Sequence, residues 1–69
     1  MTLGLVIKLV RFHKGYSRTA FAKALGIGTR TVYNIENDKA PISIKRLERI
    51  SKVLEEPISF IFLMLEGPK

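Results

Sequence analysis

Residues 17–36, SRTAFAKALGIGTRTVYNIE, decide the fold of this 69-residue chain. Apolar side chains recur at spacings of three and four, which predicts two short helices, about 18–24 and 28–36, joined by a tight turn at Gly26. The side chains that we expect to face inward from these helices are Phe21, Ala22, Leu25, Val32 and Ile35. Two short helices that pack across such a turn are the pattern of a helix-turn-helix.

The second of these helices leaves one polar face free. Its side chains form a contiguous patch at a spacing of four: Thr29, Arg30, Tyr33 and Asn34. Arginine can donate two hydrogen bonds to guanine, asparagine can pair with adenine, and a threonine methyl can pack on a thymine methyl. A solvated polar face is the ordinary alternative. Within a helix-turn-helix, however, we expect these four residues to read bases in the DNA major groove.

The flanking sequence predicts three further helices: about 2–13, 44–54 and 57–65. In chain order these are helices 1, 4 and 5, and the two helices described above are helices 2 and 3. Gly15 ends helix 1, Ser43 begins helix 4, and Gly67-Pro68 closes helix 5. One apolar stripe of the fourth helix is expected to face the core, and it consists of Ile44, Leu47, Ile50 and Leu54. No sustained alternation of apolar and polar residues indicates a strand. The expected fold is therefore all-α, with five helices in one compact domain of 69 residues.

The charge of the chain favours an anionic partner. Twelve Lys and Arg residues against six acids give a net charge of +6. Two predicted helix starts carry cations where the helix dipole favours anions, and a bound phosphate at each start accounts for them. A small tolerated penalty is the alternative. The residues expected to contact DNA phosphates are Ser17, Arg18, Lys39, Ser43, Lys45 and Arg46.

The remaining polar residues predict a structural pair and no catalysis. Arg11 lies beside the inward face of helix 1 and Glu36 ends helix 3, so their side chains are placed to form an interhelical ion pair. His13 is the one histidine and cysteine is absent. We find no nucleophile–base pair, and expect neither an enzyme, a metal site nor a cofactor. The lack of cysteine fits a reducing cytoplasm, and no apolar run reaches the roughly 20 residues of a membrane span.

Taken together, these residues resemble the lambda-repressor-like helix-turn-helix family, the Cro and phage-repressor or XRE-like type of DNA-binding domain. The resemblance covers 3–62 and rests on these motifs: Gly15-Tyr16-Ser17, Phe21-Ala22, Leu25-Gly26-Ile27, Thr31-Val32 and Ile35-Glu36-Asn37. It implies a five-helix domain that binds operator DNA as a symmetric dimer. It assigns base reading to Thr29, Arg30 and Asn34, and adds Thr31 to the phosphate contacts. The chain departs from the family at three positions, namely Arg18 for glutamine, Gly28 for a serine or threonine cap, and Asp38 for glycine.

Helices 1 and 5 carry more apolar side chains than one small core is expected to bury. We expect Ile7 and Val10 of helix 1 and Ile61 and Leu65 of helix 5 to face inward. The surplus consists of Leu5, Val6, Leu9, Phe12, Phe60, Leu63 and Met64. Exposed apolar clusters mark interaction sites, although scattered surface hydrophobes are also normal. We expect a dimer surface that comprises Leu5, Leu9, Phe60, Leu63 and Met64.

Two functions are the main candidates, and a membrane-surface role, suggested by the basic charge and the apolar C-terminus, is a distant third. The first is a sequence-specific transcriptional regulator, a repressor that binds a palindromic operator in double-stranded DNA as a homodimer. The alternative is a protein-interaction module, such as an antitoxin or adaptor, that binds a second protein through the apolar surfaces of helices 1 and 5. Added salt weakens DNA binding steeply but leaves an apolar protein contact intact, so salt dependence separates the two.

Overall fold

The computed structural model describes residues 1–66, and short loops join its five helices. The helices are α1 (Leu3–His13), α2 (Arg18–Leu25), α3 (Thr29–Glu36), α4 (Ile44–Leu54) and α5 (Ile58–Glu66). No strand occurs in this described part of the chain, so the predicted all-α fold is confirmed. Every helix boundary lies within one residue of its prediction. The predicted closure of α5 at Gly67-Pro68 lies outside the described residues.

Side-chain caps begin three of the helices. The hydroxyl oxygens of Thr2, Ser17 and Ser43 accept hydrogen bonds from the backbone N–H groups of Leu5, Ala20 and Arg46 at 3.0–3.2 Å. Gly28 begins α3 without a side-chain cap. The turn between α2 and α3 depends on Gly26, whose φ of 72° lies in the left-handed region that favours glycine. These local signals place α2 and α3 in contact as a helix-turn-helix.

The core lies where all five helices meet. Its buried apolar side chains are Val6, Ile7, Val10, Phe21, Ala22, Leu25, Val32, Ile35, Leu47, Ile50, Leu54 and Ile61. The prediction for Ile44 was wrong, because this side chain is 74% exposed in the first turn of α4. Ile42, from the preceding loop, packs against the core instead. The assignment of Val6 to the apolar surplus was also wrong, because α1 contacts both α3 and α5 and therefore buries a wider face.

A close approach joins the start of α1 to the end of α3. The backbone N–H of Gly4 donates to Asp38 Oδ1 at 3.0 Å, and a Cβ atom added at Gly4 would lie 2.7 Å from the carbonyl oxygen of Glu36. Asp38 has a φ of 58°, a left-handed conformation that aspartate tolerates better than most residues. The departure at Asp38 is thereby explained, since its carboxylate satisfies an unpaired N–H at the positive end of α1.

Candidate nucleic-acid interface

The exposed side of α3 forms the candidate recognition face, which we define as Thr29, Arg30, Tyr33 and Asn34. Thr29 and Arg30 are exposed, Tyr33 is 41% exposed, and Asn34 is half-buried. The opposite side of α3 is buried in the core through Val32 and Ile35. Burial of that side fixes the rotation of the helix, and the recognition face is consequently directed away from the protein.

The start of α2 places one cation beside this face. Ser17 Oγ caps α2 by accepting from Ala20 N–H, which leaves the hydroxyl proton able to donate to another group. Arg18 is half-buried, with its Nε 3.7 Å from Glu36 Oε1 and its guanidinium carbon 5.3 Å from the centre of the Tyr33 ring. The Nε atom is buried and has no hydrogen-bond partner in residues 1–66. Arg18 therefore lies between a buried carboxylate and the recognition face.

The start of α4 and the loop before it contribute further cations. Lys45 is exposed and Arg46 is half-buried, and Ser43 caps the helix with its hydroxyl oxygen. Lys39, in the loop between α3 and α4, is exposed and places its Nζ 5.4 Å from the centre of the Tyr33 ring. Arg18, Thr29, Arg30, Tyr33 and Lys39 together line one shallow cleft. Thr31, the remaining candidate for phosphate contact, is half-buried on α3.

Positive charge is concentrated in the part of the chain that carries these residues. Nine of the twelve Lys and Arg residues, but only two of the six acids, precede Leu47. One of those two acids, Glu36, is buried against arginine, and the other, Asp38, accepts a hydrogen bond from α1. The four remaining acids lie in the middle of α4, at Glu48, and beyond the helix, at Glu55, Glu56 and Glu66. The segment of the chain that contains the helix-turn-helix therefore carries a net positive charge, which suits attraction of a polyanion.

A buried ion pair holds α1 against α3. Arg11 Nε donates to Glu36 Oε2 at 2.5 Å, and the Arg11 Nη2 atom donates to Glu36 Oε1 at 3.2 Å. The third guanidinium nitrogen donates to the carbonyl oxygen of Tyr16 at 2.8 Å. Both side chains are almost fully buried. The pair therefore fixes the position of the carboxylate against which Arg18 rests.

The two contacting helices α1 and α5 carry several exposed apolar side chains. Four residues of the predicted dimer surface are exposed: Leu5, Leu9, Phe60 and Leu63. Met64 is half-buried and lines an apolar groove of about 350 Å³ with Leu9 and Phe60. Phe12 is 73% exposed, as predicted for the surplus, whereas the exposed Phe62 was missed. None of the helices in residues 1–66 has the length and apolar character needed to cross a membrane.

Comparisons of sequence and of structure both relate this chain to helix-turn-helix proteins. The helix-turn-helix family matches residues 7–61 of this chain. The crystal structure of the wild-type restriction-modification controller protein C.Esp1396I is 32% identical over 91% of this chain and 83% of that chain, with a TM-score of 0.82. The structure of SinR, the master regulator for biofilm formation, in complex with DNA is 31% identical over 88% of this chain and 98% of that chain, with a TM-score of 0.80. No curated protein sequence is significantly similar to this chain.

Proposed function

Because this chain belongs to the helix-turn-helix family, we propose that it is a DNA-binding transcription regulator that represses genes by binding a palindromic operator as a homodimer. The observation that carries the proposal is the recognition face of α3, which is polar, exposed and flanked by cations. A dimer that occupies an operator excludes other proteins from the same grooves, which is the simplest route to repression. No catalytic step enters this proposal.

The recognition face supplies the base contacts in this proposal. Arg30, which is exposed, donates to guanine O6 and N7, and Asn34 pairs with adenine N6 and N7. Thr29, at the start of α3, packs its methyl group against a thymine methyl. Each bidentate contact of this kind contributes about 1–3 kcal/mol of discrimination against the wrong base. Of the two residues proposed to make such contacts, Arg30 is exposed whereas Asn34 is half-buried. Arg30 is therefore the main determinant of sequence preference in this proposal.

The helix starts supply the phosphate contacts. Backbone N–H groups at the starts of α2 and α4 bind phosphate oxygens, since the positive end of each helix dipole is there. The side chains that join them are Ser17, Arg18, Thr31, Lys39, Ser43, Lys45 and Arg46. Such contacts set the register of the protein on the duplex but carry no sequence information themselves. Their loss weakens binding to every duplex.

The apolar face of α1 and α5 supplies the dimer contacts. It comprises Leu5, Leu9, Phe60, Leu63 and Met64, of which Leu63 is 67% exposed in the single chain. Burial of one such side chain is worth roughly 1.5–3 kcal/mol, so several per subunit support a stable dimer. Two subunits related by a twofold axis present their recognition faces to half-sites about 34 Å apart, one turn of DNA.

One observation favours a second function. Phe12 of α1 and Phe62 of α5 are exposed in addition to the residues assigned to the dimer. An antitoxin or adaptor would bind a second protein through them. This function predicts association that persists as salt is raised, whereas DNA binding weakens steeply with salt. It does not explain the cations that surround the recognition face.

Selection of bound sites from random duplex DNA tests the proposal. We expect a palindromic product whose half-site centres are one or more full DNA turns apart, and a promoter that overlaps this product should be silenced by added protein. A selected site without twofold symmetry would exclude the homodimer on a palindrome. Failure to enrich any sequence would exclude sequence-specific binding, and activation of the promoter would exclude repression.

A further inference from the structure

One residue of the recognition face has contacts that base reading does not explain. The ring of Tyr33 has two cations close to it, the guanidinium carbon of Arg18 at 5.3 Å and the Nζ atom of Lys39 at 5.4 Å from its centre. Both distances are within the roughly 6 Å at which a cation is attracted to an aromatic ring. The two cations come from different elements, α2 and the loop after α3. Tyr33 is thus the common contact of two candidate phosphate-binding side chains.

Besides the Tyr33 ring, the carboxylate of Glu36 also restricts the position of the Arg18 side chain. Its Nε lies 3.7 Å from Glu36 Oε1, and Glu36 is itself held by two hydrogen bonds from Arg11. The proximity of Nε to Glu36 and of the guanidinium carbon to the Tyr33 ring limits the rotamers that this long side chain can adopt. Long, flexible side chains such as arginine lose much of their conformational entropy when they are fixed. Ordering before binding reduces the part of that cost that falls on DNA binding.

The spacing of the two cations suits adjacent phosphates. Because both lie within 5.4 Å of one ring centre, they are at most about 11 Å apart. Successive nucleotides of one DNA strand rise about 3.4 Å along the helix axis, so this upper limit corresponds to no more than about three nucleotides, and the two cations are close enough to reach neighbouring phosphates. We propose that Tyr33 is a positioning residue, which holds Arg18 and Lys39 on its ring so that they bind neighbouring phosphates of one DNA strand. This inference rests on the proposed function and deepens it.

A double-mutant cycle on DNA affinity tests the proposal. Tyr33→Leu removes the ring and should weaken binding to the selected site and to an unrelated duplex by the same factor, about two- to fivefold for each cation. Lys39→Ala should cost less affinity in the Tyr33→Leu background than in the wild type. Lys45→Ala is the matched control, since Lys45 is a phosphate candidate on α4 and should show no coupling to Tyr33. Tyr33→Phe keeps the ring and should restore binding.

A spectroscopic signature in the free protein completes the test. Protons next to Lys39 Nζ and the Arg18 guanidinium should have upfield-shifted NMR resonances from the Tyr33 ring, retained in Tyr33→Phe and lost in Tyr33→Leu. Zero coupling between Tyr33 and Lys39, or an altered selected sequence with unchanged affinity for unrelated DNA, would overturn the positioning role alone. Wild-type protein that binds no duplex would overturn the proposed function and this inference with it.

Discussion

Removal of one partner from the buried pair of Arg11 and Glu36 should destabilise the domain more than removal of both. Glu36→Leu leaves the Arg11 guanidinium buried with only the Tyr16 carbonyl as an acceptor. Arg11→Met leaves the Glu36 carboxylate buried, but Arg18 Nε is 3.7 Å from it and can move closer. The two single substitutions are therefore not equivalent, and loss of Glu36 should be the more costly.

The expected magnitudes follow from the burial of both side chains. Breaking a buried ion pair typically costs 3–5 kcal/mol, because one charge is left without compensation. We expect Glu36→Leu near the upper end of that range and Arg11→Met near the lower end. The double variant replaces both charges with apolar groups, and should cost about 1 kcal/mol. A domain of 69 residues has roughly 3–10 kcal/mol of total stability, so Glu36→Leu alone can unfold a large fraction of the molecules.

Urea unfolding followed by circular dichroism at a helical wavelength measures these costs. The four proteins of the cycle are compared at one concentration, because dimer formation adds to apparent stability. Glu36→Gln, which keeps a hydrogen-bond acceptor, replaces Glu36→Leu if the latter is unfolded in buffer. Additive costs in the double variant would refute the reasoning. A larger cost for Arg11→Met than for Glu36→Leu would show that Arg18 does not share the carboxylate.

Three further outcomes concern packing and assembly. Gly4→Ala should lower the free energy of unfolding by about 1–3 kcal/mol through a clash of the added Cβ with the carbonyl oxygens of Ile35 and Glu36, although alanine favours helices by about 1 kcal/mol. Gly28→Ser is the control, and a Gly4→Ala variant of unchanged stability would disprove the close approach. Ile44→Thr should change stability by less than about 0.5 kcal/mol, whereas Ile50→Val should cost about 0.5–1.5 kcal/mol, and equal thermal shifts would place Ile44 in the core. If the proposed dimer forms through α1 and α5, Leu63→Glu should yield a folded monomer in analytical ultracentrifugation. A Leu63→Glu variant that is still dimeric would exclude that surface.

Local signals in the sequence were sufficient for most of the fold. The caps at Ser17 and Ser43 and the turn at Gly26 depend on a few neighbouring residues, and each is present in the structure. The apolar spacing of α2 and α3 likewise predicted which side chains are buried there. These features follow from backbone conformation and helical period, which neighbouring residues largely determine.

Features that depend on packing between helices were predicted less well. The burial of Val6 follows from contact of α1 with two helices, and periodicity within α1 does not contain that information. Ile44 has the spacing of a core residue, but it is exposed in the first turn of α4, and Ile42 packs against the core from the preceding loop. Gly4 is required by an approach to residues more than thirty positions away. The cation contacts of Tyr33 likewise join three elements, so the recognition face was predicted from sequence but its electrostatic organisation was not.

Base reading by α3 is tested most directly by measuring the affinity of Arg30→Ala and Lys45→Ala for the selected site and for an unrelated duplex at the same salt concentration. We expect Arg30→Ala to lose about 5- to 150-fold in affinity for the selected site, equivalent to 1–3 kcal/mol, with little change on unrelated DNA. We expect Lys45→Ala to lose affinity equally on both. An equal loss on both duplexes for Arg30→Ala would contradict the claim that the exposed face of α3 reads bases.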